Sequence, residues 1–427
     1  MIDTRVTQIF AAAMAEQRGG RHEAAVQLLE QVISLAPDHP QALNSLGTQY
    51  LARGEMEKAR DCFARAVAAD PDQPVLLLNL ARAQRELGDA EGERATLDRV
   101  LAIDARHFAA LLRKAHLAQR THRESEAAVL WQQAAAVAPP PSQLTAEVRA
   151  LLDQGIAFAE RFRLDFGTKI DAGLATARAE LTPSARRRVD AAIDTMLGRR
   201  RIYSNVCDGL HIPFLPADEF FERSHFPWFD QLEAATDAVR AELVSLLEDG
   251  HEGFAPYVQY PSGYPESKWS ELDHSERWSA FFLWRHGSRI DDHCARCPAT
   301  AALLQSLPLA DHFGRAPTAF FSLLHPRTRI PPHTGVTNAR TIVHLPLIVP
   351  PGCGFRVGGE IREWRVGEAF AFDDTIEHEA WNESDALRAV LILDVWNPYI
   401  RAEERALINE FFAAAGAAGL SVGTFDG

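Results

Sequence analysis

Methionine, cysteine and tyrosine are scarce in this chain of 427 residues, with four, five and six copies. The cysteines (Cys62, Cys207, Cys294, Cys297 and Cys353) are odd in number and scattered, which excludes the disulfide framework of a small secreted domain. Only Cys294 and Cys297 lie close together; with no second pair to complete a zinc ribbon, they read as structural thiols. Positive charge is also short: 44 Lys and Arg against 58 Asp and Glu leave a net charge of −14, without the basic footprint of a nucleic-acid binder. The runs Arg186–Arg188 and Arg199–Arg201 fall on short amphipathic stretches and read as solvated helix faces. No stretch reaches the roughly 18 apolar residues of a membrane span, and MIDTRVTQIFAAAMAEQ breaks any secretory apolar core with polar and acidic residues. The expectation is a soluble, cytoplasmic protein without an integral membrane segment. With 47% hydrophobic and 24% charged residues the composition is globular, and the length calls for two or three domains.

The N-terminal third is in register with itself at an offset of 34 residues. Gly20, Gly54 and Gly88 align, with His122 in the fourth place; Ala13, Gly47, Ala81 and Ala115 form a column of small residues. Leu29, Phe63, Leu97 and Trp131 form a large apolar column, and Pro37, Pro71 and Pro139 mark breaks where a helix cannot continue. Each unit is then a helical hairpin, and the pattern resembles the tetratricopeptide repeat in about four copies. The resemblance implies a solenoid over 1–142 that receives a peptide or protein partner, or one that only braces the rest of the chain. Ala138-Pro139-Pro140-Pro141-Ser142 closes this region, and helical patterns near 143–162 and 182–199 predict a helical connector over 143–200.

From about residue 201 the pattern changes to aromatics, prolines and short alternating runs, which predicts strands at 279–284, 319–325, 340–348, 354–357, 368–372, 379–381 and 386–395. One amphipathic helix, near 228–248, interrupts them. The expected class is therefore α+β multidomain: a helical solenoid followed, over 201–427, by a double-stranded β-helix of jelly-roll type. His333 follows a stiff Pro-Pro pair, His378 ends an acidic turn, and Arg388 opens the apolar strand RAVLILDVW. Burying such a charge demands an anion, from Asp373, Asp385, Asp394 or a ligand. Either histidine alone reads as a satisfied core or turn residue. Together with an inward arginine they are what iron(II) and 2-oxoglutarate require, since imidazole suits ferrous iron and guanidinium clamps a carboxylate.

Phe321-Ser322, His325-Pro326, PHTGVTNAR, His344, FDDTIEHEAWN, Arg388 and DVWNP together resemble the aspartyl/asparaginyl β-hydroxylase family over about 201–400. The resemblance implies an iron(II)- and 2-oxoglutarate-dependent dioxygenase that consumes O2, with His333 and His378 as catalytic metal ligands. It implies that Ser322 and Arg388 hold the co-substrate, and that His344 and Trp284 line its pocket. The acid common two residues after the first histidine is Gly335, with Asp373, Asp374, Glu377 and Glu379 as candidates to orient His378. The expected reaction is hydroxylation of an unactivated carbon, the β-carbon of an aspartyl, asparaginyl or related residue in a peptide held by the repeats. The basic positions expected for an aspartyl carboxylate are Phe320 and Ile342, which makes an asparaginyl, other neutral or partly apolar substrate at least as plausible as an aspartyl one. A small-molecule or lipid acyl hydroxylase and an inactive repeat scaffold are the competing readings.

Overall fold

The computed structural model of the chain describes residues 4–312 and 314–419. The chain divides into two compact units, with the boundary between Glu180 and Leu181.

The first unit is helical. Helices α1 (Thr4–Arg18), α2 (His22–Leu35), α3 (Pro40–Ala52), α4 (Met56–Ala69), α5 (Pro74–Glu86), α6 (Ala90–Ile103), α7 (Phe108–Arg120) and α8 (Glu124–Ala136) pair into four hairpins, and α9 (Ala146–Ala179) follows. The hairpin turns need a left-handed residue: Gly20, Gly54 and Gly88 have φ of 72°, 78° and 75°, and His122 takes the same conformation at 57°. The small column lies where the large one packs. A Cβ at Gly47 would meet the Phe63 ring at 2.8 Å, and both residues are buried. Leu29, Phe63, Leu97 and Trp131 are all fully buried, so the repeat in sequence is a repeat of core contacts. The helix expected at 143–162 runs on to Ala179 as part of this unit, while the next, α10 (Pro183–Met196), belongs to the second.

In the second unit α11 (Phe229–Ala234) and α12 (Thr236–Glu248) precede strands β1 (Ala255–Pro256), β2 (Trp278–Arg285) and β3 (Ser288–Arg289), then α13 (Asp291–Arg296) and α14 (Pro298–Ser306). The remaining strands are β4 (Ala319–Leu324), β5 (Thr328–His333), β6 (Arg340–Ile348), β7 (Cys353–Val357), β8 (Glu360–Glu363), β9 (Phe370–Phe372), β10 (His378–Asn382) and β11 (Arg388–Trp396), followed by α15 (Ala402–Ala417). One antiparallel sheet runs β1-β2-β4-β11-β6-β9 with β3 on β2; the other runs β5-β10-β7-β8. From β4 onward the chain passes back and forth between the two sheets, with β7 and β8 as a consecutive pair in the small one.

Alternation along the strands sorts the large sheet's residues into two faces. Leu391, Leu393, Phe321, Leu323, Val343 and Leu345 pack on one side in a core with Leu232, Leu243 and Leu304 of the helices. The other face meets the small sheet, where Val390, Leu324 and Phe372 pack with Ile330, Phe355 and Ala380. Cys294 and Cys297 are buried in the helix-facing core and are not joined in a disulfide.

Candidate active site

The inner faces of the two sheets enclose a cavity of about 770 Å³. Its large-sheet wall is one register-aligned set: Val390 pairs with Ser322, Ile392 with both Phe320 and His344, and Asp394 with Ile342. Residues opposite one another in an antiparallel pair share a face, so Arg388, Ser322, Phe320, His344 and Ile342 all point into this space and line it.

The small sheet contributes both histidines. His333 on β5 is directly opposite His378 on β10, and their ring centroids are 4.0 Å apart. A bulge separates this pair from Ile330 and Ala380, at the point where β5 carries Pro331-Pro332. β5 is an edge strand, where proline's missing N–H costs no ladder bond, and the extra residue re-aims His333. Each Nδ1 lies on a backbone carbonyl two residues earlier, Pro331 at 2.8 Å and Ile376 at 3.0 Å. A carbonyl only accepts, so each Nδ1 carries the hydrogen and each Nε2 keeps its lone pair. Burial holds His333 down to about 4 and His378 well below the ordinary histidine range, so both rings are neutral. Two adjacent neutral imidazoles with Nε2 lone pairs are a donor set for a divalent transition metal.

Arg388 is 2% exposed, and its Nε and Nη1 have no hydrogen-bond partner among the described residues. The carboxylates that competed for it are taken or distant: Asp385 pairs with Arg327, Asp394 with Arg340, and Asp373 accepts from Asn205 and Thr375. Its guanidinium lies over the Trp364 ring at 4.3 Å, and burial lowers it to about 10. Ser322, fully buried, accepts from Trp278 Nε1 at 3.2 Å. His344 stacks on Trp364 at 5.4 Å with its Nδ1 unpartnered among the described residues, and burial holds it neutral. An orphaned buried cation, a buried hydroxyl and a neutral ring make a receptor for a small carboxylate.

Two expectations need correction. Trp284 does not line this cavity. A bulge between Phe282 and Trp284 pairs Trp284 with Ala319, which turns it to the helix-facing core, and Trp278 stands at the cavity instead. Nor do Asp373, Asp374, Glu377 or Glu379 orient His378, whose Nδ1 is held by backbone. Asp374 pairs with Arg340 at 3.4 Å, and Glu377 and Glu379 pair with Arg356 at 2.9 and 2.5 Å. A Cβ at Gly335 would run into the Asp374 carboxylate, which would have to move to admit one. The position that carries an acid in a facial triad thus has no room for one. Sequence reasoning also passed over Trp269, whose indole packs edge-on against His333 at 4.9 Å, and Tyr257, stacked on Trp278 at 4.1 Å.

Residues 233–398 match the model of the aspartyl/asparaginyl beta-hydroxylase family, and residues 10–74 and 50–108 match the tetratricopeptide repeat. The chain is 38% identical over 129 residues to human aspartyl/asparaginyl beta-hydroxylase, covering 30% of this chain and 17% of that protein. It is 34% identical over 181 residues to the ornithine lipid ester-linked acyl 2-hydroxylase of Rhizobium tropici, covering 42% and 60%. It is 37% identical over 206 residues to mouse aspartate beta-hydroxylase domain-containing protein 2, covering 47% and 57%. The chain thus spans less than two thirds of each of these relatives. The chain is thus similar to the tetratricopeptide repeat over 10–108 and to the aspartyl/asparaginyl beta-hydroxylase family over 233–398.

Proposed function

We propose that this protein is an iron(II)- and 2-oxoglutarate-dependent dioxygenase that hydroxylates an unactivated carbon in a neutral or apolar substrate group. The observation that carries the reading is Arg388, buried without an anion on the wall that faces the paired histidines. His333 and His378 would hold the iron through Nε2, and Arg388 with Ser322 would hold the far carboxylate of 2-oxoglutarate beside His344. When bound, iron and 2-oxoglutarate together supply the reducing equivalents that let O2 place a hydroxyl on carbon, with succinate and carbon dioxide released.

The protein's own residues do the rest. Burial keeps both imidazoles unprotonated, and the backbone carbonyls of Pro331 and Ile376 fix their tautomer. Tyr257, Trp278, Phe282 and Phe320 form a contiguous aromatic wall, with Tyr257 stacked on Phe320 at 5.5 Å and Phe282 against Phe320 at 4.9 Å. This wall excludes water from the reacting carbon. Of the cavity's cations, Arg340 pairs with Asp374 and Asp394, while Arg285 and Lys268 also line the cavity. An asparaginyl-like peptide side chain fits that wall. The apolar pair Phe320 and Ile342 equally favours a second reading, an acyl chain, as the name of the Rhizobium relative describes for that protein.

Succinate release tests the reaction class. Purified protein with ferrous iron and 2-oxoglutarate should form succinate that depends on His378 and rises with the true substrate. Peptide pools and acylated lipids, each scored by a mass gain of one oxygen, separate the two substrate readings. Succinate formation unchanged in His378→Ala would overturn the proposal.

A further inference from the structure

Helix α10 is held to the second unit by its polar side. Of the run Arg186–Arg188, Arg187 points inward: its guanidinium donates to Glu360 at 2.7 Å, to the Phe220 carbonyl at 2.9 Å and to Asp218 at 3.2 Å. Ser184 donates to Glu222 at the start of the helix. Arg187, Ala191 and Asp194, spaced four and three residues apart, are half-buried on this side.

The opposite side is apolar and faces solvent. Ala185, Val189, Ala192 and Met196 recur at intervals of four, three and four, the spacing of a helix-pairing seam, with Ile193 beside them. All four seam residues are exposed, Val189 by 51% and Met196 by 90%, and no residue of α10 is buried. Leu181 and Ile202, which flank the helix in sequence, are exposed as well. An amphipathic helix ordinarily turns such a stripe, roughly 100° wide, onto a core. Here the polar contacts fix the helix the other way round and leave the stripe uncovered.

We propose that this stripe is where two copies of the chain meet, their α10 helices antiparallel about a two-fold axis. The pattern is self-complementary in that arrangement. With the axis between Asp190 and Ala191, Ala185 of one copy faces Met196 of the other and Val189 faces Ala192, so each large side chain meets a small one. Charge selects the same direction. A parallel pair would set the two Arg186–Arg188 runs side by side, whereas the antiparallel pair sets each run against the half of the other helix that carries Asp190 and Asp194. Arg186 and Asp190 already pair within the helix at 3.2 Å, so charge fixes direction more than strength. Two helices of 14 residues offer less than the roughly 1,200 Å² that a standard interface buries, so the pairing is weak and concentration-dependent. The net charge of −14 disfavours an anionic membrane as the occupant. The proposal is independent of the hydroxylase reading, because no residue of α10 lines the cavity.

Sedimentation velocity of the full-length protein over a concentration series, without iron or 2-oxoglutarate, tests it. The wild type is expected to shift from monomer toward dimer as concentration rises. Met196→Glu should weaken association about tenfold or more, because it places a charge at each end of an apolar seam. Should that variant not fold, Met196→Gln makes the same test with a smaller loss. Direction is read by disulfide capture: Val189→Cys mixed with Ala192→Cys is expected to give several-fold more cross-linked dimer than either variant alone. A monomer at every concentration up to the solubility limit, a dimer unmoved by Met196→Glu and Met196→Gln, or cross-linking no greater in the mixture would each overturn the proposal. So would binding of the monomer to phosphatidylglycerol vesicles that Met196→Glu abolishes, which would mark the stripe as a lipid-facing surface.

Discussion

His333 and His378 are paired directly across β5 and β10, ring centroids 4.0 Å apart, and each has turned its Nδ1 onto its own backbone. The pair is built by the sheet itself. A proline-bearing bulge on an edge strand aims one ring, and the regular register with β7, where His378 meets Val357, fixes the other. Among the described residues no acidic side chain orients either ring, and both Nδ1 atoms are held by backbone carbonyls.

In the proposed function Arg388 trades stability for binding. Replacing a buried, unpartnered guanidinium with an apolar side chain of similar length removes its desolvation cost, so Arg388→Met should leave the ligand-free protein as stable or about 1–4 kcal/mol more stable. The same change should weaken 2-oxoglutarate about 10- to 100-fold by loss of charge-assisted hydrogen bonds. Chemical denaturation and isothermal titration measure the two effects. A destabilised Arg388→Met would mean that the guanidinium has a partner within the fold.

Gly335→Asp, which restores the acid of a facial triad in sequence, should destabilise. The new side chain overlaps the Asp374 carboxylate and adds a second buried negative charge, at a cost of about 1–3 kcal/mol or more. Gly335→Asp/Asp374→Ala should recover most of that loss, since the two positions share one space. Urea unfolding of the four proteins in the cycle provides the comparison. Additive losses would show that the two side chains do not compete.

Much of this arrangement was legible in sequence, and the exceptions have definite causes. The strand at 340–348 is evident from Ile342, Val343, Leu345, Leu347 and Ile348, and Arg388 is conspicuous as the charge that opens the apolar run Ala389–Leu393. The strand that carries His333 is hidden, because Pro331-Pro332 signals a break and only its edge position permits them. Trp284 was misplaced by a one-residue bulge, which reverses the side of a sheet and leaves no mark in composition. The 34-residue repeat was readable to the residue, down to His122 in the left-handed glycine position, because each repeat rebuilds the same contacts. Charge pairing, which frees Arg388 by giving Asp394 to Arg340, exists only in three dimensions.

His312 gives the fold a signature in acid. Buried against Trp396 at 3.8 Å and facing Arg340, Arg315, Arg405 and Asp311, it is held down to about 3 by burial. Below pH about 6.5 the unfolded chain takes up a proton that the folded chain refuses until about 3, so this contribution is present above 6.5 and lost as pH falls. Asp373 and Asp394, raised to about 7 and about 6 by burial, act with the opposite sign, and their contribution is lost as pH rises through those values. The stability difference between wild type and His312→Phe should therefore shrink between pH 6.5 and 4, by at most about 1.4 kcal/mol per pH unit. Denaturant melts across that range read it directly, and a difference independent of pH would contradict the assignment.

The proposed function requires His333, His378 and Arg388 to hold iron(II) and 2-oxoglutarate in one cavity. The most direct test is anaerobic: 2-oxoglutarate is titrated into the ferrous protein while the weak visible charge-transfer absorption of the chelated oxo-acid is followed. The account predicts a band that saturates, disappears in His333→Ala and requires far more 2-oxoglutarate in Arg388→Met. No band with both components in excess, or an undiminished band in His333→Ala, would contradict it.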